Sequence, residues 1–374
     1  MKCTAKQSKL YLREKIVCIF ESFDEYDIQG EEISSPSFYT IDTISMKPKI
    51  ALVTGGYSGE AVISYKSADT IQQHIDAQFY DVYRIDITRE GWYYDDRNGH
   101  RYAVNKADFS VEADGHTIRF DAVFIGLHGT PGEDGKLQGY FDLLNIPYTS
   151  CNAATSAITF NKRYTVGVAA FSGIAVASSV HLFRHDQWNA SDVTSQLSFP
   201  VFVKPNNGGS SIGMSKVSDP KNLEAAIHKA FREDDQVLVE QMIEGREFTI
   251  GVFQSGDEII TLPMTEIIVN KELDFFDFEA KYQGKSEEIT PAKAEKRHVD
   301  NIAEAAKRIY RVFNCSGVIR IDFIYHEQTD TPYMLEINTV PGQSAASIVP
   351  QQVNAYGWTL TEFYGVLLKQ ILPA

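Results

Sequence analysis

Charged or amide side chains recur at every second position inside two apolar runs near the C-terminal end, and this pattern constrains the fold more than any other. In Val318-Ile319-Arg320-Ile321-Asp322-Phe323-Ile324-Tyr325, a strand's period of two puts Arg320 and Asp322 on one face. Ile319, Ile321 and Phe323 fall on the other. In Tyr333-Met334-Leu335-Glu336-Ile337-Asn338, the same rule pairs Glu336 with Asn338, opposite Leu335 and Ile337. As neighbours, the two strands make a sheet with one face in a core and one face carrying two carboxylates, an amide oxygen and a guanidinium. Such hard oxygens suit Mg²⁺, which completes its shell with water and phosphate oxygens. A solvated face with a salt bridge is the plain alternative for any one such pair, but four groups at these spacings favour a metal site.

A chain of 374 residues exceeds one ordinary core and implies several domains. Residues 50–53 read as a strand, 54–60 as a glycine turn, and the stretch to about Ile75 as a helix, the opening of an α/β layer. Residues 82–87 and 122–126 read as buried strands, with 92–119 as a surface hairpin excursion between them. A second unit starts with a strand at 200–205 and a glycine/serine loop at 206–213. Asp219 and Pro220 suit N-cap and N1 of a helix that buries Leu223, Ile227, Ala230 and Phe231, and 237–240 is another strand. A hairpin follows (248–253 and 258–262), then a polar-aromatic loop (275–290). Val299, Ile302, Ala306, Ile309, Tyr310 and Phe313 form a core-facing helical stripe, and Leu360, Phe363, Leu367 and Ile371 mark a final amphipathic helix. The whole reads as three α/β units.

Acidic side chains outnumber basic ones, 50 to 35, for a net charge of −15, which argues against a general nucleic-acid binder. Four cysteines without a CxxC pair give neither a disulfide framework nor a zinc signature, so a reducing cytoplasm is expected. No apolar run approaches the roughly 20 residues that span a bilayer. Residues 21–45 hold seven acidic residues, five serines and no lysine or arginine. We therefore expect residues 1–45 to be a disordered extension, with Met46 as the functional start.

Several loops carry chemistry. Lys204-Pro205-Asn206-Asn207-Gly208-Gly209-Ser210-Ser211-Ile212-Gly213 has glycines that admit a phosphate, hydroxyls that donate to it and a lysine. It is not a Walker A loop, and a surface hairpin fits it equally. The Gly55-Gly56 turn lacks GxGxxG, so a dinucleotide oxidoreductase is a poor reading. Glu60 caps a helix or accepts a substrate ammonium. His128, in His128-Gly129-Thr130-Pro131-Gly132-Glu133-Asp134-Gly135, gains weight only if its loop faces the same cleft as Glu60. Lys162, Glu240 and Glu247 are ordinary surface charges singly, though Glu240 and Glu247 flank a segment that could form a nucleotide hinge. Lys281-Tyr282, near Phe275, Phe276 and Phe278, suggests a closing lid.

In order and spacing these motifs resemble the D-alanine–D-alanine ligases of the ATP-grasp superfamily. The resemblance runs through Gly55-Gly56-Tyr57-Ser58-Gly59-Glu60, the His128–Gly135 loop and Phe199-Pro200-Val201-Phe202-Val203-Lys204-Pro205. It continues through Gly208–Gly213, Glu247-Phe248-Thr249, Phe278-Glu279-Ala280-Lys281-Tyr282, Arg320-Ile321-Asp322, and Leu335-Glu336-Ile337-Asn338 with Pro341-Gly342. It covers residues 46–374. The combination of Glu-Ala-Lys-Tyr with His-Gly-x-x-Gly-Glu-Asp-Gly is more specific than the strand motifs alone.

The resemblance implies an α/β, three-domain ATP-grasp fold: an N-terminal Rossmann-like domain (46–150), a central lid domain (151–243) and a C-terminal catalytic domain (244–374). It implies that Lys162 and Lys204 contact ATP phosphates under a loop holding Ser210 and Ser211. Glu240 and Glu247 would hold the adenosine, with the backbone of Gln241, Met242 and Ile243 on adenine. Asp322, Glu336 and Asn338 would bind two Mg²⁺ ions, with Mn²⁺ as a substitute. Glu60, hydrogen-bonded with Ser210 and Tyr282, would take the first D-alanine's ammonium, beside His128. Arg320 and the Gly342 backbone would stabilise the oxyanion, Ser347 and Ile348 would bind the second D-alanine, and Lys281 would reach the transferring phosphate. A cytoplasmic homodimer is also implied. Gln343-Ser344-Ala345-Ala346 departs from the Met/Phe-Thr-Ser type of run, so the second substrate is the less secure half. D-alanyl-D-lactate or D-alanyl-D-serine ligases, and a silent nucleotide-binding regulator, are the rivals. Tyr282 favours an amino second substrate, and the intact acids, arginine and lysine oppose silence.

Overall fold

β1 (Lys49–Gly55) is buried at every position after its first and pairs in parallel with β2 (Asp81–Ile87) and β7 (Ala122–Ile125). Burial on both faces explains its unbroken apolar sequence. The computed structural model describes residues 47–96, 98–208, 212–269 and 286–372. At the end of β1 the backbone turns through Gly55 at φ +86°, where a Cβ would lie 2.6 Å from the Ile87 carbonyl oxygen. The chain then enters α1 (Ala61–His74).

The reading of 92–119 as a surface excursion is corrected by the structure. β3 (Trp92–Asp95), β4 (Arg101–Asn105), β5 (Ser110–Ala113) and β6 (His116–Ile118) extend the same sheet in the order β6-β5-β4-β3-β2-β1-β7. Trp92, Val104, Phe109 and Val111 are core residues there. The dense turn residues mark tight hairpins between short strands, and the buried aromatics between them hold the meander down.

α2 (Lys136–Leu144), α3 (Ala153–Phe160) and α4 (Lys162–Phe171) lead to the second sheet. It has β8 (Ser179–Phe183), β9 (Val201–Pro205), β10 (Ser215–Val217) and β11 (Gln236–Gln241), in the order β10-β9-β11-β8. Between its strands lie α5 (Ala190–Thr194) and α6 (Leu223–Ala230). Asp219 accepts a hydrogen bond from the Lys221 N–H at 3.0 Å and starts a single 3₁₀ turn that runs into α6. Leu223, Ile227, Ala230 and Phe231 pack on Val201, Val203, Val237 and Val239, as the apolar spacing requires.

The third sheet holds β12 (Arg246–Ser255), β13 (Glu258–Thr261), β14 (Thr265–Val269), β15 (Ser286–Ile289), β16 (Val318–His326) and β17 (Thr331–Asn338). Its path is β15-β14-β12-β16-β17, with β13 on β12. β15 corrects the end of the stretch read as a loop to Thr290. Under the sheet lies α7 (Lys296–Val312), which buries Ile302, Ala306, Ile309, Tyr310 and Phe313. Val299 is corrected: it is 39% exposed, and His298 takes the inward position one residue earlier, in step with Ile302 at i+4. A bulge between Asp322 and Phe323 pairs Asp322 with Glu336 but Phe323 with Met334. The slip therefore puts Met334, rather than Leu335, in the core beside Ile337.

Two closing helices, α8 (Ile348–Tyr356) and α9 (Leu360–Ile371), join the first and third sheets. Val353, Phe363 and Leu367 share one cluster with Ile50, Leu52 and Phe124 of the first sheet and Phe253 of the third. Thr359 and Glu362 form a reciprocal capping box at the start of α9. No helix among the described residues is long and apolar enough to cross a membrane.

Candidate active site

β16 and β17 pair as their sequences require, with Arg320 opposite Asn338 and Asp322 opposite Glu336. Arg320 grips Asp322 in a bidentate pair, Nε to Oδ1 at 2.9 Å and Nη2 to Oδ2 at 3.0 Å, and its Nη2 lies 3.9 Å from Glu336 Oε1. The Thr249 hydroxyl also donates to Asp322. Burial works against the Arg320 charge, but Asp322, Glu336 and Glu133 outweigh it and hold the guanidinium above its ordinary range. Glu133 belongs to the His128 loop, so that loop and this sheet face share one electrostatic field. Asp322, Glu336 and Asn338 together supply two carboxylates and an amide oxygen. That donor set fits a cation sharing its shell with phosphate and water. Among the described residues, no group of three or more His, Cys, Asp or Glu is placed to hold a metal.

The second sheet brings a lysine towards these acids. Lys204 on β9 pairs with Glu240 on β11 at 2.5 Å, the side chains being 16% and 10% exposed. Burial disfavours the ammonium, yet Glu240, then Glu336 and Glu247, raise its pKa above the ordinary lysine value. Lys162, at the start of α4, donates from Nζ to the Gly208 carbonyl at 2.8 Å. The Lys162 and Arg163 N–H groups end on the Asn206 carbonyl and its Oδ1, at 3.1 and 2.8 Å. The helix start and the entrance to the glycine loop are thereby locked together. At the end of β11, the N–H groups of Gln241 and Met242 donate to the carbonyls of Ser178 and Pro200.

Glu60 is the residue before α1, with Ser58 Oγ 3.3 Å from its Oε2. A Cβ at Gly129, where φ is +67°, would sit 2.4 Å from Glu60 Oε2, so the His128 loop lies directly against this carboxylate. His128 is 5% exposed. Its Nδ1 is 2.8 Å from the Val340 carbonyl and its Nε2 is 2.8 Å from Ser67 Oγ. Glu60 and His128 thus share a corner, with the imidazole nitrogens engaged inside the protein.

Gly342 and Ser347 sit at the head of α8. A Cβ on Gly342 would lie 2.8 Å from Ser347 Oγ. Ser347 does not cap the helix with its side chain; its hydroxyl pairs with Ser344 Oγ at 2.7 Å. Ile348 opens the helix. The buried Gln352 amide fixes α8 on the sheet, accepting from Gly251 N–H at 2.9 Å and donating to the Thr249 carbonyl at 2.9 Å.

Comparison with known proteins decides the family. The D-ala D-ala ligase N-terminus model matches residues 49–151, and the D-ala D-ala ligase C-terminus model matches 168–371. The chain belongs to the D-alanine–D-alanine ligase family. The D-alanine–D-alanine ligase of Flavobacterium johnsoniae is 42% identical over 315 residues, 84% of this chain and 96% of that protein. That of Parabacteroides distasonis is 43% identical over 312 residues, 83% and 94% of the two chains. Among solved structures, the VanG D-Ala:D-Ser ligase from Enterococcus faecalis superposes with a TM-score of 0.78 at 32% identity, covering 87% of this chain and 99% of that one. The D-alanyl-alanine synthetase A of Vibrio cholerae gives 0.77 at 27% identity, covering 87% and 98%. The three sheets are accordingly the three-domain ATP-grasp fold of these ligases.

Within that fold, Arg320, Asp322, Glu336 and Asn338 share one strand pair, Lys204 and Glu240 share another, and Glu60 meets the His128 loop. Ser210, Ser211, Lys281 and Tyr282 lie outside the described residues. Ser67 and Tyr364, which join the His128 corner to Gln343, were missed by sequence reasoning. Both look like ordinary helix residues, and the only signal nearby was the unusual Gln343.

Proposed function

We propose that this chain joins two D-alanines into D-alanyl-D-alanine with ATP, through a D-alanyl phosphate, for peptidoglycan precursor synthesis. Family membership supports the reaction, and the Arg320, Asp322, Glu336 and Asn338 face is the observation that carries it. A carboxylate is a poor electrophile towards an amine, so the first D-alanine must exchange an oxygen for a better leaving group. Lys162 and Lys204 hold the ATP phosphates, the Ser210 and Ser211 loop covers them, and Lys281 reaches the γ-phosphoryl group. Glu240 and Glu247 hold the adenosine, with adenine against the hinge at 241–243. Asp322, Glu336 and Asn338 hold two Mg²⁺ ions, which Mn²⁺ can replace. Bound there, the metal offsets charge on the transferring phosphoryl group.

Glu60, set with Ser210 and Tyr282, takes the ammonium group of the first D-alanine, with His128 beside that site. The carboxylate oxygen of this first D-alanine attacks the γ-phosphorus, and ADP leaves. Ser347 and Ile348, at the N-terminus of α8, receive the carboxylate of the second D-alanine, where helix N–H groups favour an anion. Its amine attacks the acyl carbon, Arg320 and the Gly342 N–H stabilise the oxyanion, and phosphate departs. The domains divide at 46–150, 151–243 and 244–374, and the enzyme works in the cytoplasm as a homodimer.

The likeness to a D-Ala:D-Ser ligase and the Gln343–Ala346 run make D-serine the alternative acceptor to test. Phosphate release from Mg-ATP with D-alanine alone is compared with L-alanine, and with D-serine or D-lactate added to D-alanine, with products identified by mass. D-alanine-dependent turnover yielding D-alanyl-D-alanine is expected. No D-alanine-dependent phosphate and no dipeptide would refute the assignment.

A further inference from the structure

We infer that Ser67 is a positioning residue that ties the first-amino-acid corner to the loop carrying the oxyanion donor, with Gln343 and Tyr364 completing the tie. The inference rests on the proposed role of the Gly342 N–H and deepens it. Ser67 lies on α1, fully buried. The Gln343 N–H can only donate, so at 3.0 Å the Ser67 oxygen accepts from it. The Val340 carbonyl can only accept, so His128 carries its proton on Nδ1, 2.8 Å away. In the neutral ring Nε2 is then the acceptor, and the Ser67 hydroxyl donates to it at 2.8 Å.

The result is a closed circuit: Gln343 N–H to Ser67, Ser67 O–H to His128, and His128 N–H to Val340. It grips residues 340–343 at both ends, the carbonyl of Val340 and the amide of Gln343, with Gly342 between. Further bonds stiffen the same segment. Asn338 Oδ1 accepts from the Val340 N–H at 3.1 Å, Gln343 Nε2 donates to the Pro341 carbonyl at 3.2 Å, and the Tyr364 hydroxyl donates to Gln343 Oε1 at 3.2 Å. At the other side of the circuit, the His128 backbone N–H donates to Ser64 Oγ at 2.9 Å, and Gly129 abuts Glu60. One small side chain that both donates and accepts therefore sets the oxyanion loop relative to the first substrate. Serine does this, and alanine can do neither.

Loosening this tie should act on the second step. D-alanyl phosphate would still form, but attack by the amine would lose a well-placed oxyanion donor. The longer-lived acyl phosphate would then escape to solvent, where water adds to the acyl carbon as phosphate leaves with the bonding electrons, to give D-alanine and phosphate without dipeptide. The readout is phosphate released per dipeptide formed, for wild type and Ser67→Ala, with KM for ATP measured alongside. We expect the ratio to rise about 3-fold or more in the variant, with KM for ATP within about twofold of wild type. An unchanged ratio, with all rates falling together, would show a merely structural serine and overturn the inference. Ser67→Cys, close in volume and a weaker donor and acceptor, supplies the same test should the alanine variant not fold, and a raised ratio is expected there too. Wild type that releases no D-alanine-dependent phosphate would instead defeat the underlying reaction.

Discussion

The β16–β17 face and the His128 corner are built in opposite ways. On the face, Arg320, Asp322, Glu336 and Asn338 come from two adjacent strands whose own period and pairing align them. In the corner, Ser67 meets Gln343 across 276 residues of sequence, and the contact exists only because α8 and α9 are packed between the first and third sheets. Local pattern suffices for the first, while the second depends on the whole fold. Chemistry on the face should therefore fail by removal of a group, and chemistry in the corner by loss of packing.

Glu336→Ala is expected to separate these modes most sharply. Its side chain is 42% exposed, so little packing is lost. Turnover should drop by about 10³-fold or more, while thermal melting stays within a few degrees, about the effect of a surface substitution. Retained turnover would remove it from the metal site. Phe363→Ala tests the other mode. Phe363 is fully buried between the sheets, so denaturant unfolding should show about 3–5 kcal/mol of lost stability. Surviving enzyme should show a raised phosphate-to-dipeptide ratio, because the next residue, Tyr364, holds Gln343. A normal ratio would break the link between α9 and the corner.

Lys204→Met probes a region between these extremes. Removing the ammonium leaves Glu240 without its buried partner, and about 3 kcal/mol of stability should be lost, with weaker ATP binding by titration calorimetry. Intact stability would show that the pair contributes little. The smallest effect concerns His181 on β8, where burial, then Arg163, lower the pKa against a small opposing effect of Glu240. The unfolded chain then binds the proton more readily than the folded one. Stability present above the ordinary histidine range is lost as pH falls through the lowered folded value. His181→Gln should remove this acid sensitivity, a difference of under about 1 kcal/mol after solvent screening, in melts between about pH 7 and pH 5. Equal acid sensitivity in both proteins would assign it elsewhere.

The same contrast explains what could be read from the sequence. Strands 82–87, 200–205 and 318–325 and the helix after Gly59 were legible because each has its own period or turn chemistry. So was the strand face shared by Arg320, Asp322, Glu336 and Asn338, apart from the Leu335–Met334 exchange, which a bulge decides and periodicity cannot. The meander at 92–119 was misread because its turns are conspicuous, whereas its buried aromatics are spaced by hairpin geometry. Val299 was misassigned because it sits at the margin of the α7 apolar stripe. Ser67 gave no signal at all, since a helix serine becomes informative only when its distant partners are known.

With Glu60 holding the ammonium group of the first D-alanine, that substrate's carboxylate is to be phosphorylated by ATP at the Lys204 and Asp322 site before an amine replaces the phosphate. D-alanine labelled with ¹⁸O in its carboxylate tests it most directly, followed by mass analysis of the phosphate and dipeptide formed with unlabelled ATP. One labelled oxygen should pass into inorganic phosphate for each dipeptide made. Dipeptide formation with phosphate free of label would contradict the account.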